Sequence, residues 1–195
     1  MNETAERVRI VDVKVLSDDW YVLKKTTFDY RRADGSWQRQ SRETYDRGNG
    51  ATLLLYEPRR RMVVLTRQFR LPAFVNGHHG MLIETPAGLL ESASPEGRIR
   101  AEVEEETGYR VHEVRKVFEA FMSPGSVTEK LHFFVAEYDA LARVGAGGGL
   151  EHEGEDIEVM ELPIRQALAM VERGEIVDGK TIMLLQYAQL NLFDA

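Results

Sequence analysis

The chain has 195 residues, 43% of them hydrophobic and 29% charged, with a formal net charge of -7; this is the composition of an ordinary globular protein long enough to bury a core. The negative balance argues against nucleic acid or an anionic membrane as a partner, and no apolar run reaches transmembrane length. The chain has no cysteine, which excludes disulfides and thiolate metal sites, and the polar stretch Met1 to Glu6 does not resemble a signal peptide, so a cytoplasmic location is expected.

Val11, Val13 and Val15 alternate in the manner of a strand, and two further β-type runs follow, Trp20 to Arg31 and Trp37 to Tyr45, joined by the turn Ala33-Asp34-Gly35-Ser36. Residues 1–46 therefore read as a small antiparallel sheet, and Arg47-Gly48-Asn49-Gly50 as its boundary with a main domain over 47–195. A three-stranded leader leaves edges and an apolar face uncovered, so a second copy of the chain is its expected partner. Ala51 to Tyr56 and Met62 to Phe69 form a hairpin pattern, Asn76 to Gly80 a loop, and Met81 to Glu84 a short strand. Further strands are expected near Val114 to Phe121, Leu131 to Tyr138 and Ile157 to Leu162. Ile164, Ala167, Leu168 and Val171 fall at i, i+3, i+4, i+7 of an amphipathic helix, and a last helix is expected from an Asp178 N-cap through Leu192. Several strands with three helices make an α+β protein.

The most informative stretch is residues 88–109. Ser94 and Pro95 provide an N-cap and a first helical residue, and Gly108 a C′ glycine, so one helix lies between them. Glu102, Glu104, Glu105 and Glu106 crowd its last turn, where the negative end of the macrodipole disfavours each acid by roughly 0.3–1 kcal/mol. Glu102, Glu105 and Glu106 share one side of the helix at i, i+3 and i, i+4. Such a cluster is either a solvated acidic face, with Arg98 serving Glu102 and Arg100 serving Glu104, or a site for a hard cation such as Mg²⁺ or Mn²⁺. Residues 145–149 (GAGGG) are flexible by composition and lead to a second acidic cluster, Glu151 to Asp156.

The helix segment resembles the Nudix box, Gly, five residues, Glu, seven residues, Arg-Glu-apolar-any-Glu-Glu-any-Gly-apolar, matched from its right end by residues 102–109. Ala101 stands where the pattern has Arg, and the left half is one residue short, with Ser94 at the expected Glu. These departures leave the Glu102, Glu105 and Glu106 set intact and bear on its buttressing. Within that family the chain resembles the nucleoside-diphosphate-sugar pyrophosphatases in further motifs: YDRGNGATLLLY (45–56), VLTRQFR (64–70), ETPAGLLE (84–91), FMSPGSVTE (121–129), HFFVAEY (132–138), EDIEV (155–159) and DGKT (178–181).

The resemblance implies a Nudix-type α/β/α sandwich with a mixed sheet, preceded by the small N-terminal sheet. It implies Mg²⁺-dependent hydrolysis of a nucleotide sugar, with Mn²⁺ a substitute, in which a metal-activated water attacks phosphorus. GDP-mannose is the first expected substrate and ADP-ribose or another nucleotide sugar the second, with a non-catalytic nucleotide-sugar sensor as a further alternative. The metal would be held by the Ala87 carbonyl, Glu102, Glu106 and Glu155. Glu105, a further ligand through water, and Glu155, in the place of the loop glutamate that completes the metal site or acts as general base, would be the catalytic carboxylates. Two extra residues in that loop make Glu153 a competitor for Glu155. Substrate contacts would come from Trp20 stacking on the base, with Tyr21 as its alternative, and from Arg42, Glu43, Arg70, Glu129 and Lys180. A homodimer is implied in which leader residues reach the partner's site.

Overall fold

The structure is a computed structural model that describes residues 4–90 and 92–193. The chain divides into two compact units, Met1–Asn49 with Phe121–Lys130, and Gly50–Ala120 with Leu131–Ala195.

In the first unit β1 (Val8–Asp18), β2 (Val22–Arg31) and β3 (Trp37–Asp46) form an antiparallel sheet in the order β1-β2-β3. The turn between β2 and β3 places Gly35 at φ 84, and Asp34 Oδ1 accepts from Ser36 N at 2.9 Å, the local capping that favours Asp and Gly in hairpin turns. β1 carries register shifts after Ile10 and after Val15, and no residue of it is buried. The segment 121–130, assigned by sequence to the main domain, clusters with this unit. Tyr45 N donates to Ser126 O at 2.8 Å, Thr128 N to Tyr45 O at 3.1 Å, and Lys130 N to Asn49 Oδ1 at 2.9 Å.

The second unit is built on a mixed sheet. β4 (Gly50–Glu57) lies at its centre, antiparallel to β5 (Met62–Gln68) and parallel to β9 (Lys130–Glu137). With β8 (Arg115–Phe121) and β10 (Glu158–Pro163) the order is β10-β5-β4-β9-β8, and β6 (Leu82–Glu84) adds to β5 and β7 (Ala87–Leu89) to β4. Side chains alternate across β4. Ala51, Leu53 and Leu55 pack with Ile99 and Val103, the i,i+4 pair on the inner side of α2 (Pro95–Thr107). The opposite face is met by α4 (Gly179–Ala188), beside which α3 (Ile164–Glu172) lies. Ile164, Ala167, Leu184, Leu185 and Ala188 are buried from those two helices. The result is the sheet sandwiched between helices that the sequence implies.

Short elements escape sequence reading. α1 (Leu71–Val75) is too short to show a helical period, and β7 is three residues of Ala-Gly-Leu whose only strand signal is its pairing with β4. The last helix continues past Ala188 as a π-helical turn, Gln189–Phe193.

Candidate active site

α2 begins as expected: Ser94 Oγ accepts from Gly97 N at 3.2 Å, and Gly108, at φ 75, closes the helix by donating to Glu104 O at 2.9 Å. Its acids then separate into two kinds. Glu104 points outward to Arg110, its Oε1 2.6 Å from Nη2, so the expected pair with Arg100 does not form. Glu102 and Glu106 turn inward and are buried, and Glu105 is half-buried.

Glu102 has the expected i,i+4 partner, Arg98, at 2.5 Å. This contact comes from one turn before Glu102, so a cation buttresses it although Ala101 has replaced the Arg of the family pattern. Glu106 is 1% exposed and accepts from Ala87 N at 3.4 Å through Oε1, while its Oε2 is buried with no hydrogen-bond partner. Burial first, then the Glu102 charge, with Glu155 adding to them, pushes the Glu106 carboxyl well above the usual range; the Ala87 N–H and Arg70 act in the opposite direction. An orphaned buried carboxylate oxygen facing two more carboxylates is the environment that a hard divalent cation would relieve, so these residues fit a metal. Among the described residues no three acidic or imidazole side chains already close around one point. Glu102 is drawn to Arg98, and Glu155 Oε2 accepts from Leu150 N at 2.9 Å.

The glycine-rich loop is docked on the helix end, and its glycines serve close approach as much as flexibility. Gly148 N donates to Glu106 O at 2.9 Å and Gly149 N to Glu105 O at 3.2 Å, which satisfies carbonyls left open at the C-terminus of α2. Gly147, Gly148 and Gly149 all have positive φ, and a Cβ on Gly147 would lie 2.5 Å from Glu106 O. The loop thereby brings Glu155 to the face that carries Glu106. The side chain of the competing Glu153 lies outside the described residues.

A cleft of about 230 Å³ opens beside Glu155, lined by Gln68, Phe69, Arg70, Met81, Gly154, Glu155 and Asp156. Arg70 and Lys180, far apart in sequence, meet at Glu84: Arg70 Nε lies 2.7 Å from Glu84 Oε2 and Lys180 Nζ 2.5 Å from Glu84 Oε1. Burial works against the Glu84 charge, and Lys180 and Arg70 outweigh it, holding the carboxyl below its usual range. Sequence reasoning passed over Glu84. It stands inside a quoted motif, but only the fold shows that a carboxylate at the end of β6 is enclosed by two cations.

Ala87, Glu102, Glu105, Glu106, Glu155, Arg70 and Lys180 all belong to the second unit; Ala87, Glu102, Glu155 and Arg70 act on Glu106, and Lys180 meets Arg70 at Glu84. Trp20, Arg42, Glu43 and Glu129 belong to the first. Trp20 is 83% exposed, whereas Tyr21 packs edge-on against Tyr45 at 5.7 Å with the Arg47 guanidinium 5.6 Å from its ring. Glu129 Oε1 lies 3.7 Å from Arg47 Nε, and Arg42 donates to Ser41 O and Gln40 Oε1 within its own strand.

A family profile described as "GDP-mannose pyrophosphatase NudK N-terminal domain" matches residues 7–45, and one described as "NUDIX domain" matches residues 46–185. The chain belongs to the Nudix hydrolase family, as a pyrophosphohydrolase of its nucleoside-diphosphate-sugar branch. The GDP-mannose pyrophosphatase of Klebsiella pneumoniae is 57% identical over 183 residues, covering 93% of this chain and 91% of that protein. The GDP-mannose pyrophosphatase of Pectobacterium atrosepticum is 58% identical over 182 residues, covering 93% of each. A crystal structure of an "ADP compounds hydrolase" matches with a TM-score of 0.70 over 94% of this chain and 93% of that one, at 15% identity, which shows a common fold. No helix among the described residues is long and apolar enough to cross a membrane.

Proposed function

We propose that the chain hydrolyses the pyrophosphate bond of GDP-mannose, giving GMP and mannose 1-phosphate, in the cytoplasm and with Mg²⁺ as its metal. The observation that carries this reading is Glu106: buried, with Oε2 unpartnered, and facing the charges of Glu102 and Glu155. The similarity to the GDP-mannose pyrophosphatases supports the choice of substrate.

Glu102, Glu106, Glu155 and the Ala87 carbonyl would hold the metal, and Mn²⁺ has the same preference for hard oxygen ligands. Bound there, the ion supplies charge neutralisation for the diphosphate and a lowered pKa for an attacking water. Arg70, on the wall of the cleft, presents a planar fork suited to two phosphate oxygens, and Lys180, which meets it at Glu84, adds a point charge from behind. Glu155 receives the proton of the water that attacks phosphorus, with Glu105 assisting from the helix. The carboxylates also repel hydroxide and free anions unless a cation accompanies them, which makes hydrolysis depend on metal.

The first unit adds Trp20, whose open ring face suits stacking on a nucleobase, with Arg42, Glu43 and Glu129 as polar contacts. We place these in the site of a partner copy, in a homodimer that covers the apolar residues of β1. The experiment is release of phosphomonoester from GDP-mannose, ADP-ribose and other nucleotide sugars, with Mg²⁺ and with chelator. Metal-dependent cleavage strongest on GDP-mannose is expected. Preference for ADP-ribose would keep the chemistry and overturn the substrate, and binding without cleavage would make the chain a sensor.

A further inference from the structure

Glu84 is 3% exposed and sits where β6 ends, its backbone fixed opposite Thr66 of β5. Both of its oxygens are occupied, Oε2 by Arg70 Nε at 2.7 Å and Oε1 by Lys180 Nζ at 2.5 Å. Lys180 Nζ is also 3.0 Å from Asp178 Oδ2, and Asp178 is itself held as the N-cap of α4, accepting from Thr181 N at 3.0 Å. Two cations and two carboxylates balance, so this group can stay charged and buried before any ligand arrives. Arg70 is gripped at one edge only. Its side chain makes no other hydrogen bond among the described residues, so both terminal nitrogens remain unspent at the wall of the cleft that Glu155 also lines.

We propose that Glu84 is a positioning residue for the hydrolysis: a single buried carboxylate that fixes Arg70 and Lys180 relative to each other and to the metal-binding carboxylates, so that both meet the substrate's phosphates already oriented. The inference rests on the proposed function of the same site. A guanidinium and an ammonium on long stems each lose rotamer freedom when they engage a ligand, and a rigid anchor behind them removes that loss from binding. Glutamine at this position has almost the same volume but only one acceptor oxygen, and its amide N–H₂ would face one of the two cations.

The test is steady-state hydrolysis of GDP-mannose by the full chain as wild type, Glu84→Gln, Arg70→Ala and the double variant, each verified as folded by circular dichroism. Glu84→Gln is expected to raise KM by about tenfold with kcat changed by less than about threefold. In the Arg70→Ala background the same substitution is expected to move KM by clearly less than in wild type, about threefold, because only Lys180 is left for Glu84 to position. Glu84→Asp, too short to reach both cations from one backbone position, takes the same place in the cycle if the glutamine variant does not fold. A residue needed only for stability would lower the melting temperature and leave KM of the folded enzyme unchanged, or add its full effect in the Arg70→Ala background. Either result, with an active wild type, overturns this inference alone. A wild-type chain that cleaves no nucleotide sugar overturns the proposed function and this inference with it.

Discussion

A Cβ built on Gly88 would lie 1.8 Å from Oε1 of Glu102, so β7 passes the candidate metal site at a distance that only glycine permits. Gly88 does not have a left-handed φ, and the atoms it would strike are the end of a flexible side chain, so the fold has room to respond. We expect Gly88→Ala to keep its melting temperature within about 3 °C of wild type and to lose at least about tenfold in kcat, because the displaced carboxylate can no longer share an ion with Glu106. Melting curves and kinetics on the same sample check this; wild-type turnover would show that Glu102 is not needed where it stands.

Glu106→Gln separates metal binding from folding. The native carboxylate is buried against like charge, so replacing it with a neutral amide removes repulsion from the metal-free protein while deleting a ligand. The variant should melt no lower than wild type in chelator, show no rise in melting temperature on adding Mg²⁺, and turn over at least about a hundredfold more slowly. Wild-type-like rates would remove Glu106 from the metal site.

These tests divide along the line between what the sequence discloses and what it hides. The box helix was legible because local chemistry encodes it: Ser94 and Gly108 mark its ends, and Ile99 and Val103 its inner face. The pairing of Glu102 with Arg98 was legible as well, being an i,i+4 relation within one element. Relations made by tertiary structure were not. The Arg70, Glu84, Lys180 group joins residues from β6, α4 and the start of α1, and nothing local in those segments signals their meeting. In the glycine-rich loop composition speaks only of flexibility, whereas the structure also uses its amides to close the end of α2.

Val13 and Val15 stand two apart on β1, each about half exposed at 51%. An apolar strand left this open is covered at little cost by another copy, each fully buried valine contributing roughly 1.5–3 kcal/mol. The double substitution Val13→Glu with Val15→Glu should convert a homodimer to monomer in sedimentation at micromolar concentration. If Trp20, Arg42 and Glu43 serve the partner's site, the monomer should also lose most of its GDP-mannose cleavage. A wild-type chain that sediments as a monomer refutes the shared site.

The charge on Glu84 also sets an acid limit on stability. Its folded-state carboxyl is held below the ordinary value of 4.5 by Lys180 and Arg70, which together outweigh the opposing effect of burial. With the folded value depressed, the folded protein binds fewer protons at this site than the unfolded chain. The stabilisation is therefore fully present above about pH 4.5 and is lost as pH falls through the folded value. At pH 7, Glu84→Gln removes the negative charge between the two cations and turns an amide N–H₂ toward one of them, and a melting temperature about 5–10 °C below wild type is expected. Below pH 4.5 wild type gives up the advantage that the variant never had, so the two melting curves should converge as the solution is acidified. A gap that stays constant from pH 7 to pH 3.5 would show that Glu84 stabilises the fold by packing, with its charge contributing nothing.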